Sequence, residues 1–256
     1  MSNLSAQLDE VGRYKEALAA IEESVGLQRV LASARPEIHA PGLCRSLHNL
    51  SVQLGNTGRL EEALTAIEEA VGGRRTLAAA NPAAHGAELA VSLNNLADRL
   101  AGVGRVDEAV AAIDESVEVC RGLVAGGPEA HTGTLAACLR TRSQRLLAVG
   151  RAEEALSAAD ESAKLLRVLA TDHPGAHSRS LAKSLIAMGE CLRALERPVP
   201  ASDVEEEAVR IYRSMAPADA GVRGRAAGPV EYLRVDLRDL GRTEAEISRF
   251  IEQRAS

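Results

Sequence analysis

Four histidines, His39, His85, His131 and His177, recur at steps of 46 residues, each three residues after a proline (Pro36, Pro82, Pro128 and Pro174). Neutral imidazole is a common metal ligand, so such an array is a candidate metal site. Equivalent atoms of stacked repeats stand about one helix-packing distance, 8–10 Å, apart. Two imidazoles sharing a zinc must each sit about 2 Å from it. Packing at a joint is the better reading, and neither metal nor cofactor is expected. The acid pairs Glu22-Glu23, Glu68-Glu69 and Asp114-Glu115 would suit carboxylate catalysis. Neighbours on a helix point about 100° apart and the pair recurs in successive copies, so no catalytic residue is assigned. His48, Asp98 and Arg140 combine a base, an acid and a cation. An enzyme or small-molecule binder built on that trio requires a closed pocket with strongly shifted pKa values.

A basic ladder runs through Arg29, Arg75, Arg121, Arg167 and Arg213. It is a candidate nucleic-acid stripe, yet Glu22, Glu68, Asp114, Asp160 and Glu206 stand seven residues earlier, two turns back on the same helix face. A self-paired or inter-repeat charged face explains the ladder better. The net charge of −6, from 30 basic and 36 acidic residues, also argues against nucleic acid.

The elements behind these ladders are amphipathic helices. Ser92 to Val117, SLNNLADRLAGVGRVDEAVAAIDESV, has one apolar stripe at Leu93, Leu96 and Leu100 and a second at Val110, Ile113 and Val117. Gly104-Arg105 breaks the pattern between them, which predicts two helices around a tight turn. The turn glycine recurs at Gly12, Gly58, Gly104 and Gly150; Glu196 replaces it one step later, and a step of 45 reaches Gly241. Ala17, Ala63, Ala109, Ala155 and Ala201 keep the same step, as do Glu23, Glu69, Glu115, Glu161 and Glu207. The expectation is an all-α fold, an α-solenoid of about six antiparallel helix hairpins. Five repeats occupy about 1–35, 36–81, 82–127, 128–173 and 174–216; a loop and a short degenerate sixth hairpin, 217–256, form a C-terminal cap.

Each second helix is expected to run on into a proline-containing joint, such as NPAAHGAE or HPGAHSRS, because proline stops or starts a helix. Gly72-Gly73 and Gly126-Gly127 predict bending or fraying, and RPVPAS (Arg197 to Ser202) predicts a hairpin opened at a different angle. With aromatics at 2%, the core must be Leu, Val, Ile and Ala. Cys44, Cys120, Cys138 and Cys191 share no C-x-x-C spacing and read as buried, reduced thiols. No signal-peptide pattern and no apolar run near the ~18 residues of a membrane span is seen. A soluble cytoplasmic protein without a membrane partner is expected.

The stretch from Asn94 to Val117, with its Gly-Arg turn and Glu-Ala opening the second helix, resembles the tetratricopeptide repeat. The 46-residue step is similar to the long variant of kinesin light chains and of bacterial multidomain signalling proteins. That resemblance covers the chain strongly from 1 to 196 and weakly beyond. It implies a right-handed superhelix whose first helices line a concave groove for a peptide or protein partner. No phosphate-binding loop or nucleophile elbow accompanies it.

By that resemblance Arg45, His48, Asn49, Asn94, Asn95, Asp98, Arg140, Gln144 and Lys183 line the groove. Asn49 and Asn95, with Asn3, match the family position whose amide holds a ligand backbone; the position becomes Thr141 and Ala187 later in the chain. Arg45, Arg140 and Lys183 favour an acidic peptide or a free C-terminal carboxylate. The expected function is a non-enzymatic peptide-binding scaffold, with a signalling-peptide sensor and the small-molecule reading above as alternatives. Apolar stripes at the solenoid ends leave room for self-association.

Overall fold

The computed structural model describes residues 14–215, 238 and 242–252. Asn3, Gly12, Gly241, the expected first helix of the first hairpin, the loop after Ala216 and most of the sixth hairpin lie outside the described residues. The helices are α1 (Tyr14–Ala34), α2 (Pro36–Asn56), α3 (Leu60–Ala80), α4 (Pro82–Gly102), α5 (Val106–Gly126), α6 (Pro128–Ala148), α7 (Ala152–Asp172), α8 (Pro174–Ala194), α9 (Pro198–Met215) and α10 (Glu244–Glu252). Among the described residues there is no strand, and the chain is an all-α solenoid of pairwise-packed helices.

The period of 46 has a simple physical origin. From α2 to α8 every helix is 21 residues long. First and second helices are joined by three residues, and successive repeats by a single residue: Arg35, Asn81, Gly127 or His173. The proline joints are therefore not loops. Pro36, Pro82 and Pro174 sit in the first turn of the next helix, where a missing N–H costs nothing and the fixed φ helps. His39, His85, His131 and His177 follow in the same first helices, all half-buried. Asn81 also caps α4, its side chain accepting from the Ala84 N–H at 3.1 Å.

The Gly-Arg turn is a Schellman motif. The Arg59 N–H donates to Leu54 O at 2.9 Å and the Gly58 N–H to Gly55 O at 3.1 Å, a pairing repeated at Arg105–Leu100 and Arg151–Leu146. Gly58, Gly104 and Gly150 take φ of 77°, 80° and 76°, the left-handed conformation a Cβ disfavours. Glu196 takes φ 57° at the same place and Arg197 N still reaches Leu192 O at 2.8 Å. The turn before α9 is thus preserved in kind although RPVPAS replaces the usual residues.

The chain divides into two compact units between Thr141 and Arg142, inside α6. In the first unit α1 packs on α2, α2 on α3, α3 on α4 and α4 on α5; in the second α7 packs on α8 and α8 on α9. Ile67, Leu93 and Ile113 in the first unit and Leu185 in the second are fully buried, each contributing about 1.5–3 kcal/mol of burial. Ala63, Ala109 and Ala155, also fully buried, let paired helices approach closely.

The glycine pair Gly72-Gly73 does not fray α3, which is continuous through it. A Cβ on Gly73 would fall 2.5 Å from Cys44 Sγ, so this glycine admits the thiol of α2. All four cysteines are buried and free, and Cys120 Sγ lies 3.9 Å from Cys138 Sγ. No described helix is long and apolar enough to cross a membrane.

Candidate partner-binding face

Residues three and four apart share a helix face, so α2 presents Arg45, His48 and Asn49 together and α4 presents Asn94, Asn95 and Asp98. Arg45 and Asp98 are exposed; His48, Asn49, Asn94 and Asn95 are half-buried. Arg140, half-buried, completes the set in the first unit; Gln144 of α6 and Lys183 of α8, both half-buried, belong to the second. The asparagine position ends inside the packing: Thr141 is 3% and Ala187 2% exposed.

His48 and Asn95 are drawn together, and away from open groove surface. Asn95 Nδ2 donates to His48 Nε2 at 3.1 Å, and His48 Nδ1 lies 2.9 Å from Ser92 Oγ. With Nε2 accepting, the neutral ring carries its proton on Nδ1 and donates to the serine oxygen. Burial, then the charges of Arg74 and Arg99, pull the His48 pKa down to about 4. Both ring nitrogens are engaged, which removes the lone pair that the enzyme reading needed. Two clefts of about 840 and 300 Å³ open on the first unit, and neither is lined by His48, Asp98 or Arg140.

Arg74 is the residue that the sequence pattern did not single out. Its guanidinium donates to Glu88 O at 2.7 Å and to Ser92 Oγ, and it is 5% exposed. Its Nε has no partner. Desolvation lowers its pKa, with Arg45 adding repulsion and Glu88 opposing. The ladder counterparts of Arg74 are Gln28, Cys120, Leu166 and Tyr212, all neutral, so a buried cation stands in one copy only. Asn94 Oδ1 is likewise buried without a partner.

The second-helix arginines behave oppositely. Arg29 NH2 meets Glu69 at 2.5 Å, Arg75 NH2 meets Glu115 at 2.5 Å and Arg167 NH2 meets Glu207 at 2.7 Å, each an acid of the next repeat. At these three positions the ladder is inter-repeat, while Arg121 NH1 also meets Glu118 of its own helix at 3.4 Å. Glu22 and Glu68, the acids of the same helix face, instead take the turn arginines Arg59 and Arg105 at 3.4 and 3.2 Å. Arg59, Arg105 and Arg151 also clasp Glu62, Glu108 and Glu154 three residues on. Around His48, by contrast, Arg45, Arg74 and Arg99 form no ion pair among the described residues. Among those residues no group of three or more His, Cys, Asp or Glu is arranged to hold a metal ion.

Residues 43–81 and 89–125 match the family model described as "Tetratricopeptide repeat". Several solved structures share the fold. A chain from Podosopora anserina, described as a kinesin light chain with nearly identical TPR-like repeats, is 19% identical, with TM-score 0.62, over 83% of this chain and 93% of that one. MamA 41-end from Desulfovibrio magneticus RS-1 is 15% identical with TM-score 0.53, covering 84% and 94%. BtubC (BKLC) from P. vanneervenii is 17% identical with TM-score 0.50, covering 79% and 92%. A search of curated proteins finds no match.

Proposed function

From the premise that residues 43–81 and 89–125 are tetratricopeptide repeats in a solenoid with the kinesin-light-chain-like repeat fold, we propose that this chain is a non-catalytic scaffold that binds an extended, acidic peptide segment on its first-helix face. The observation that carries it is the segregation of charge. Second-helix and turn arginines are neutralised by glutamates, whereas Arg45, Arg74 and Arg99 stand near His48 without an ion pair, Glu88 opposing charge at Arg74 from a distance. A buried guanidinium without an ion pair is costly, and a partner's carboxylate at exposed Arg45 relieves the repulsion that Arg45 adds to it. Asn49 offers its amide to the partner's backbone, and Arg140 adds charge. Asn95 and His48 support the face through their mutual hydrogen bond, and Asp98 excludes strongly acidic segments from one edge. Gln144 and Lys183 hold the corresponding positions in the second unit. Four free, buried thiols suit a reducing cytoplasm.

The test is fluorescence anisotropy with peptides of equal length that are acidic, neutral or basic. The acidic set is expected to bind best, with affinity falling about tenfold or more in Arg45→Glu, a loss typical of charge-assisted contacts. Equal binding of all three sets, or an unchanged Arg45→Glu, overturns the reading.

A further inference from the structure

The larger cleft of the first unit does not include His48 in its lining. It is floored by Pro82, Gly86 and Leu89 of α4 and walled by Ala79 of α3 and by Val119 and Gly122 of α5, with His131 at its end. Along α5 it runs from Glu115 to Gly126, about 17 Å at 1.5 Å per residue. Spread over that length, 840 Å³ gives a cross-section of about 50 Å². A whole helix needs about 80–110 Å²; a single row of apolar side chains fits.

At two places the cleft is lined by a small residue where an earlier copy has a large one, Gly122 for Val30 and Ala130 for Ile38. A Cβ on Gly122 or Gly126 would meet nothing within 4 Å, and each glycine weakens α5 by about 1 kcal/mol relative to Ala. Two periods earlier, Val119, Gly122, Leu123 and Ala130 correspond to Leu27, Val30, Leu31 and Ile38. Those four form an apolar ridge that projects from the protein, 50%, 69%, 43% and 57% exposed. One surface position is thus hollow in one copy and protruding in another. Polar groups flank both, and Glu118 at the cleft also meets Arg121 of its own helix at 3.4 Å. The ridge runs from exposed Glu23 to exposed Arg35, and the cleft from exposed Glu118 to half-buried His131.

We propose that the cleft receives the Leu27–Val30–Leu31 ridge of a second copy of this chain, α1 lying antiparallel to α5 with Arg35 at Glu118 and Glu23 at His131. Ridge and cleft are different surfaces of one molecule, so the contact either closes reciprocally into a pair or repeats from copy to copy into a longer assembly. It uses none of the residues assigned to peptide binding and stands or falls without them.

Analytical ultracentrifugation from micromolar to near-millimolar concentration tests it on the full chain. Wild type is expected to associate to twice its 26.9 kDa mass or beyond, while Val30→Asp and Gly122→Leu each stay monomeric. Val30 is exposed and Gly122 faces open space, so both variants keep the fold, checked by circular dichroism. Mixed in equal amounts, the intact cleft of one accepts the intact ridge of the other, and assembly stops at two chains. Arg35→Glu weakens association and Glu118→Arg restores it in the double variant. A monomeric wild type, variants that still associate, or a mixture that stays monomeric overturns the proposal.

Discussion

Asn95 of α4 hydrogen-bonds His48 of α2 at 3.1 Å, tying the first helices of two successive repeats through an imidazole that the fold keeps neutral. The folded chain then binds fewer protons at this ring than the unfolded chain, whose histidine titrates at its ordinary 6.5. This contribution is fully present above about pH 6.5 and declines as pH falls toward 4, by about 3 kcal/mol for the whole shift. Thermal unfolding of wild type and His48→Gln from pH 7.5 to 4 checks it. The wild-type melting temperature should fall more steeply than the variant's; parallel curves would show that the ring is not held neutral.

Gly72 and Gly73 are adjacent in one helix, yet alanine should act on them with opposite sign. Gly72 faces open space, so Gly72→Ala stabilises by about 1 kcal/mol. Gly73→Ala drives a methyl into Cys44 Sγ and loses about 1–3 kcal/mol to overpacking, less the helix-propensity gain. Adding Cys44→Ala removes the clash and should recover most of that loss in urea unfolding.

Glu196 holds a left-handed backbone that three glycines hold elsewhere. Glu196→Gly should therefore stabilise the second unit by about 1 kcal/mol, and Gly104→Ala should destabilise the first by about 1–2 kcal/mol. Denaturant midpoints measured without a change in m-value decide this.

The bridge from Arg75 to Glu115 is bidentate, at 2.8 and 2.5 Å, but about half-exposed at the arginine. A double-mutant cycle with Arg75→Ala and Glu115→Ala should give a coupling of about 0.2–1 kcal/mol that shrinks in high salt. A larger, salt-insensitive coupling would mean that the pair is shielded from water in the folded protein.

The hairpins were legible because Gly58, Gly104 and Gly150 mark a conformation few other residues tolerate, and because the Leu93 and Ile113 stripes have helical spacing. The one-residue links were not. Pro-x-x-His reads equally as the end of one helix or the first turn of the next, and only the packed structure chooses. Arg29 and Glu69 are 40 residues apart, so their pairing depends on how neighbouring repeats align, while the nearer acid Glu22 offered a local alternative. Arg74 was hidden beside Arg75: adjacent arginines look alike in sequence, but about 100° of helix turn sends one to solvent and the other to Glu88 O. Variable polarity along the first helices was visible in the sequence; that His48 and Asn95 spend their hydrogen bonds on each other was not.

Single-residue joints at Arg35, Asn81, Gly127 and His173 leave no slack to absorb an added or lost amino acid. One extra residue there would rotate everything downstream by about 100° and turn its buried stripe outward. Evolution can lengthen or trim such a molecule by duplicating or deleting entire periods, but hardly by editing within a joint. Its architecture is in that sense quantised.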